Sequence, residues 1–196
     1  MAKYFDKQTI DALKKQANDI VTLRNQAMEQ YGVDLLDTDA ISSLFIYEIV
    51  SQYDPNYNIN FSRNGEDAQS KGILIEQKAT KVNGPLTKTG KRRKNADIDA
   101  VFQFHAMGDL DYPRYLFVAR NKDDLSIMRI YDIGAKENTD KVLAHLMTER
   151  EAWLERSSKD KKLMKRDIIQ LPEKFILENL ALPTRLDING CVILKD

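Results

Sequence analysis

Apolar residues recur at three- and four-residue steps from Gln8 to Tyr31: Ile10, Leu13, Ala17, Ile20, Ala27, Met28 and Tyr31. That spacing marks one face of an amphipathic helix, and Gly32 is its expected stop. A second helix is expected from Thr38 or Asp39, with Ile41, Leu44, Phe45, Ile49 and Tyr53 facing a core; Asp54–Pro55 ends it. The period then shortens. Tyr57–Arg63 alternates with Ile59 and Phe61 on one side, and Gly72–Ala79 reads as a strand. Ile98–His105 sets Ile98, Ala100, Phe102 and Phe104 against Asp99, Val101, Gln103 and His105. Tyr115–Arg120 and Ser126–Ile133 follow across a short polar turn, which predicts a strand meander. Helix returns near Thr139 and runs to Ser157, carrying Val142, Leu143, Leu146, Met147, Trp153 and Leu154. The charged run Ser157–Asp167 predicts a solvated helix end or loop. Pro172 suits the first turn of a short helix, and Asn189–Gly190 between two alternating runs is a hairpin signal. The order predicts an α/β fold, a central mixed β-sheet flanked by helices with a C-terminal β-hairpin.

Composition narrows the function only by exclusion. The 196 residues fit one domain: a helix over 1–37, a core over 38–157, and a helix and hairpin over 158–196. Lys+Arg and Asp+Glu are each 30, so no global field points to nucleic acid or membrane, and such a partner must be recognised locally. A single cysteine, Cys191, forms no internal disulfide, which predicts a reducing, cytoplasmic setting. The N-terminal stretch lacks the apolar core of a signal peptide, and no apolar run reaches membrane-spanning length. There is no P-loop and no GxGxxG, which disfavours nucleotide-driven chemistry.

The chemistry concentrates in one stretch, NGEDAQSKGILIEQKAT, from Asn64 to Thr80. Side chains two apart in a strand share a face. Glu76 and Lys78 therefore project together beside Leu74, while Ile73, Ile75 and Ala79 point toward a core. If the chain turns at Asn64–Gly65 and re-enters the sheet, Asp67 returns to the same edge. Two neighbouring carboxylates repel, and a divalent cation resolves the conflict. Mg2+ takes hard oxygen ligands, few from protein and the rest from water and phosphate. An adjacent lysine positions water and offsets charge on the phosphorus in flight. These are the parts of a metal-assisted phosphodiester hydrolysis site.

Asp67 followed by Glu76-Gln77-Lys78 on a strand resembles the PD-(D/E)XK nuclease motif, whose superfamily includes type II restriction endonucleases, resolvases and repair nucleases. The resemblance implies a restriction endonuclease-like core and a single nuclease domain over 1–196. It implies metal on Asp67 and Glu76 with an oxygen from the Gln77 carbonyl, Lys78 serving the nucleophile, and an additional Glu from the preceding helix, for which Glu48 is the candidate. Glu66 stands where the motif has proline, and Glu66 and Asp67 compete for the ligand role. The implied activity is a Mg2+-dependent endonuclease making sequence-specific double-strand cuts. The implied partners are double-stranded DNA, a second copy in a homodimer, and a companion DNA methyltransferase.

Past the strand, Lys81–Lys94 (KVNGPLTKTGKRRK) holds six basic residues and no acidic one: Lys81, Lys88, Lys91, Arg92, Arg93 and Lys94. Gly84, Pro85 and Gly90 make it a loop. Cations of one sign in one loop would neutralise phosphates. Asp97 and Asp99 either join the site or pair with this loop. His105 and His145 are expected to be structural, and two histidines so far apart argue against zinc. Cys191 is expected to pack. Two other readings stand beside the restriction-type nuclease: a non-catalytic DNA-binding module, and a repair or junction-resolving nuclease of the same fold.

Overall fold

The computed structural model describes residues 7–35, 38–60, 67–82, 100–121, 126–159 and 167–196. The chain divides into two compact units, Met1–Leu44 and Phe45–Asp196. The first is dominated by α1 (Lys7–Tyr31). Gly32, at φ +70°, ends it as expected, its N–H donating to the Met28 carbonyl at 3.0 Å. Arg24 then clamps Asp34 with two hydrogen bonds of 2.7 Å. On its apolar face, Ile10, Leu13, Ile20 and Met28 are exposed. Helix α2 (Thr38–Val50) crosses the boundary between the units.

The larger unit is built on a curled, mixed seven-stranded sheet. Its strands are β1 (Tyr57–Ile59), β2 (Ala68–Ser70), β3 (Ile73–Val82), β5 (Arg114–Asn121), β6 (Ile127–Ile133), β9 (Cys191–Lys195) and β8 (Thr184–Ile188), in that spatial order. A separate antiparallel pair joins β4 (Val101–His105) to β7 (Ile168–Pro172). Helices α3 (Lys136–Lys159) and α4 (Glu173–Asn179) complete the α/β architecture. Among the described residues no helix is long and apolar enough to cross a membrane.

Both faces of the sheet are buried. On one, Ile46, Ile49 and Val50 of α2 cover Ile75, Leu116, Val118, Ile130 and Ile193. On the other, Phe102 and Phe104 of β4, Ile169 and Leu171 of β7, Val142, Leu146 and Trp153 of α3, and Ile176 of α4 cover Tyr115, Phe117, Ala119, Tyr131 and Ile133. Central β5 is therefore buried continuously from Tyr115 to Arg120, as expected of a strand covered on both sides.

Two expectations change. β4 alternates as anticipated, with Phe102 and Phe104 buried, yet it is no rung of a meander. β3 and β5 pair in parallel, and a parallel pair needs a crossover connection. β4 lies on that crossover, packed over the sheet with the Phe102 and Phe117 rings 4.9 Å apart. The C-terminal hairpin forms its tight turn at Asn189 (φ 51°) and Gly190 (φ 81°), as Asn-Gly demands. The hairpin is as expected, and β9 also pairs in parallel with β6, so it extends the main sheet. β7, next to the charged run, had no expected strand.

Glu173 locks α4 to both sheets. Its carboxylate, almost fully buried, accepts from Arg129 at 2.7 and 3.1 Å, from the Ala100 N–H at 3.2 Å, and from the Tyr131 hydroxyl. Its own N–H donates to the Ala100 carbonyl at 2.7 Å. Removing the acid leaves a buried phenol and a half-buried guanidinium without their partner. Glu173→Ala is expected to cost about 3–5 kcal/mol of stability, read from urea unfolding; a loss below about 1 kcal/mol would contradict this role.

Candidate active site

The site begins with a turn. Lys71 (φ 51°) and Gly72 (φ 80°) make a two-residue connection between β2 and β3, the positive-φ pair of a tight hairpin. It fixes the register as Ser70 opposite Ile73 and Ala68 opposite Ile75. Ala68 and Ile75 point into the α2 side of the sheet. Asp67 and Glu76, the next pair along, therefore point to the other side. This Lys71–Gly72 turn sets the approach of Asp67; Asn64–Gly65 lies outside the described residues.

Asp67 is held by backbone. Its carbonyl accepts from the Asn60 N–H at 2.9 Å, and its Oδ2 accepts from the Gln77 N–H at 2.9 Å. Lys78, two residues beyond Glu76, brings its ammonium against Glu76 Oε1 and to 3.7 Å from Asp67 Oδ2. The same ammonium lies 5.4 Å from the centre of the Phe104 ring, a cation–π contact. Asp67, Glu76 and Lys78 thus meet on one sheet face, with the ammonium serving both carboxylates.

Burial sets the electrostatics. The Glu76 side chain is only 8% exposed, against 39% for Asp67 and 26% for Lys78. Desolvation pushes the Glu76 carboxyl above the usual range, Lys78 opposes this, and the Asp67 charge adds to it. The Lys78 ammonium and the neighbouring Tyr112 hydroxyl favour the ionised form. No spacing or motif in the sequence singles out Tyr112. It precedes β5, and only the parallel register, Glu76 opposite Tyr115, brings it close.

The remaining candidates separate. The Gln77 side chain lies on the α2 side, where its Oε1 accepts from the Tyr57 hydroxyl at 2.5 Å; only its backbone is near the acids. Glu48 is exposed on α2, which packs on the opposite sheet face from Asp67, Glu76 and Lys78. Lys81 is exposed near the end of β3. His105 is exposed and pairs with Asp167 at 3.3 Å, and His145 stacks on Phe175 at 4.3 Å; both have structural settings. Cys191 is buried. Ile73 and Leu74 are exposed at the start of β3 rather than divided between core and cleft. Glu66, Lys88, Lys91, Arg92, Arg93, Lys94, Asp97 and Asp99 lie outside the described residues.

Among the described residues no three of His, Cys, Asp or Glu gather as a metal-binding group. The pair that does meet, Asp67 and Glu76, offers hard oxygen donors with a cation already beside them. In donor type that fits a divalent ion that keeps most of its water. No protein-family model matches this chain, and no curated protein matches its sequence.

The raised Glu76 carboxyl has a measurable consequence. The folded chain keeps this proton at pH values where the unfolded chain has lost it. The stability it contributes is full below the ordinary glutamate range and is lost as pH rises through the folded value. As pH rises from about 4, the ordinary glutamate value, the wild type should lose stability relative to Glu76→Gln, measured by urea unfolding at each pH. A constant difference between the two proteins would contradict the raised value.

Proposed function

We propose that this chain is a Mg2+-dependent DNA endonuclease of the PD-(D/E)XK type, acting as type II restriction enzymes do. One observation carries the reading. Asp67, Glu76 and Lys78, which match the motif in sequence, share one sheet face, with the Lys78 ammonium against both carboxylates. The element order agrees: α2, then β1, β2 and β3, with the first acid just before β2 and ExK on β3.

A bound divalent ion supplies Lewis acidity toward the scissile phosphate and a water of lowered pKa. Asp67 and Glu76 hold that ion. Lys78 orients the attacking water and offsets negative charge as the new oxygen–phosphorus bond forms and the bond to the leaving sugar oxygen breaks. Phe104 beneath Lys78 keeps the ammonium on this side of the sheet.

The basic segment supports the choice of a polyanionic substrate. It leaves β3 after Val82 and returns at Ala100, and both residues are buried in the cluster on the Glu76 side of the sheet. Lys88, Lys91, Arg92, Arg93 and Lys94 would then hold the DNA backbone or read base edges. A double-strand cut of a palindrome calls for a homodimer, since one active site cuts one strand. A companion DNA methyltransferase and a cytoplasmic setting belong to the same reading.

One observation favours a second reading. Among the described residues only two carboxylates meet at this site, and they are already served by Lys78. A DNA-binding module that has kept the fold without the chemistry would look the same there.

Plasmid and phage DNA, incubated with Mg2+ or with EDTA, separates the two. Discrete fragments that require Mg2+ are expected. Lys78→Ala should slow cutting by about 10²–10⁴-fold while still shifting DNA on a gel. DNA shifted but never cut, methylated or not, would leave the binding module standing; cutting confined to branched DNA would point to a junction enzyme. Replacing Lys91, Arg92, Arg93 and Lys94 together with alanine should flatten the salt dependence of DNA affinity. The slope of log K against log salt is expected to fall by about 0.9 for each phosphate no longer neutralised. An unchanged slope would remove this segment from the interface.

A further inference from the structure

We propose that α1 packs side by side and antiparallel against α1 of a second copy of this chain, making the first unit a dimer interface. The proposal goes beyond the nuclease reading and stands on α1 alone. The helix repeats every seven residues: Ile10, Ala17, Arg24 and Tyr31 fall in one row, and Leu13, Ile20 and Ala27 in the next. Apolar residues at this spacing over three heptads form the seam of a coiled coil. Ile10, Leu13 and Ile20 are about half exposed and Tyr31 is 76% exposed; Val21, Leu23 and Met28 widen the same face and are exposed too. The ends of the helix add no electrostatic support, for its first turn holds no acid and its last turn no base. A helix carrying Thr9, Ile10, Ile20, Val21 and Thr22 is marginal in water unless its apolar face is buried.

Charge, size and Arg24 fit this helix to itself. Lys14 and Lys15 against Asp11 leave residues 8–18 at +1, and Asp19, Glu29 and Asp34 against Arg24 leave residues 19–34 at −2. Antiparallel copies set the basic half of each beside the acidic half of the other. They also set each helix N-terminus beside a C-terminus, where the dipoles attract. With Ile10 opposite the partner's Ala27 and Ala17 opposite the partner's Ile20, a large side chain meets a small one in each of these layers. Arg24 is clamped by Asp34 through two hydrogen bonds of 2.7 Å, so it enters the seam as an ion pair, its stem against the partner's Leu13. A parallel pair in register would instead bring two Arg24 side chains together; a polar residue in a seam selects register in this way. The area suffices as well. At about 80 Å² for each of the seven exposed apolar side chains, two helices bury about 1,100 Å², close to the roughly 1,200 Å² at which specific interfaces begin.

The test is sedimentation equilibrium of the full chain at micromolar concentration, where the wild type should be a dimer. Leu13→Glu combined with Ile20→Glu puts carboxylates into the seam and should weaken the dimer by at least about 100-fold. The near-ultraviolet signal of Trp153, buried in the larger unit, should not change. Thr22→Glu, on the opposite side of the helix, should leave the dimer intact. Orientation is read by oxidative crosslinking, in which Cys191 is buried and takes no part. Ala17→Cys mixed with Ile20→Cys should form a disulfide-linked dimer, and each variant alone should link far less. A wild type that sediments as a monomer, a dimer that survives the paired glutamates, or links that form best in each cysteine variant alone overturns the proposal. If the paired glutamates unfold the larger unit, the crosslinking decides by itself. A monomer that still cuts DNA overturns this interface and leaves the nuclease reading standing; a dimer dissociated by the glutamates that never cuts DNA does the reverse.

Discussion

The register of β3 is the constraint on which the site depends. Side chains alternate across a strand, so a slip of one residue exchanges its faces. In the observed register Ile75 and Ala79 meet α2, while Glu76, Lys78 and Val82 face β4. A one-step slip would drive a carboxylate and an ammonium among Ile46, Ile49 and Val50, and would turn Ile75 toward Lys78's present neighbours. Two independent features hold the register against that: the two-residue turn at Lys71–Gly72 and eight parallel pairs with β5, from Ile75–Arg114 to Val82–Asn121. Farther back, Arg114 joins the ends of several elements. It donates to Asp132 of β6 at 2.8 and 2.7 Å and to Asp54 at 2.6 Å, and Asp54 in turn accepts from Ser70 of β2 at 2.9 Å. The turn after α2 is thus tied to the strands that place Asp67 and Glu76.

Covering both faces of the sheet gives the site its electrostatic character. An acid on a half-solvated sheet would be ordinary; Glu76 is instead desolvated between β4 and the loop that carries Tyr112. In this setting its ionised form depends on the Lys78 ammonium held against Oε1. Glu173 offers a contrast. There the acid is equally buried, but Arg129, Tyr131 and the Ala100 N–H satisfy it fully, leaving it a fastener.

Local periodicity was enough to read the helices, the β5–β6 pair and the closing Asn-Gly turn, because each is decided by neighbours in sequence. It was also enough to put Glu76 and Lys78 on one face, since that follows from strand geometry alone. What it missed depends on distant pairing. β4 alternates as a good strand, but its partner is β7, which meets it with Gln103 opposite Gln170. β7 itself is short and sits beside a run of lysines, so its alternation was masked by charge. Tyr112 reads as a loop aromatic until the parallel register is known. Glu48 shows the opposite error: a polar residue in an apolar helical stretch suggested a site, whereas α2 buries Ile46, Ile49 and Val50 and simply turns Glu48 outward.

The crossover between β3 and β5 links fold to function most directly. Parallel neighbours cannot be joined by a tight turn, so the chain must leave the sheet and return. Here the excursion carries the basic segment and then β4, whose Phe104 lies against Lys78. It re-enters through the loop that carries Tyr112. One connection, required by the parallel pairing, therefore brings the Phe104 ring back to the Glu76 face beneath its lysine. The basic run of the sequence falls in that same connection, and the described residues that flank it, Val82 and Ala100, are both buried in the cluster on this face.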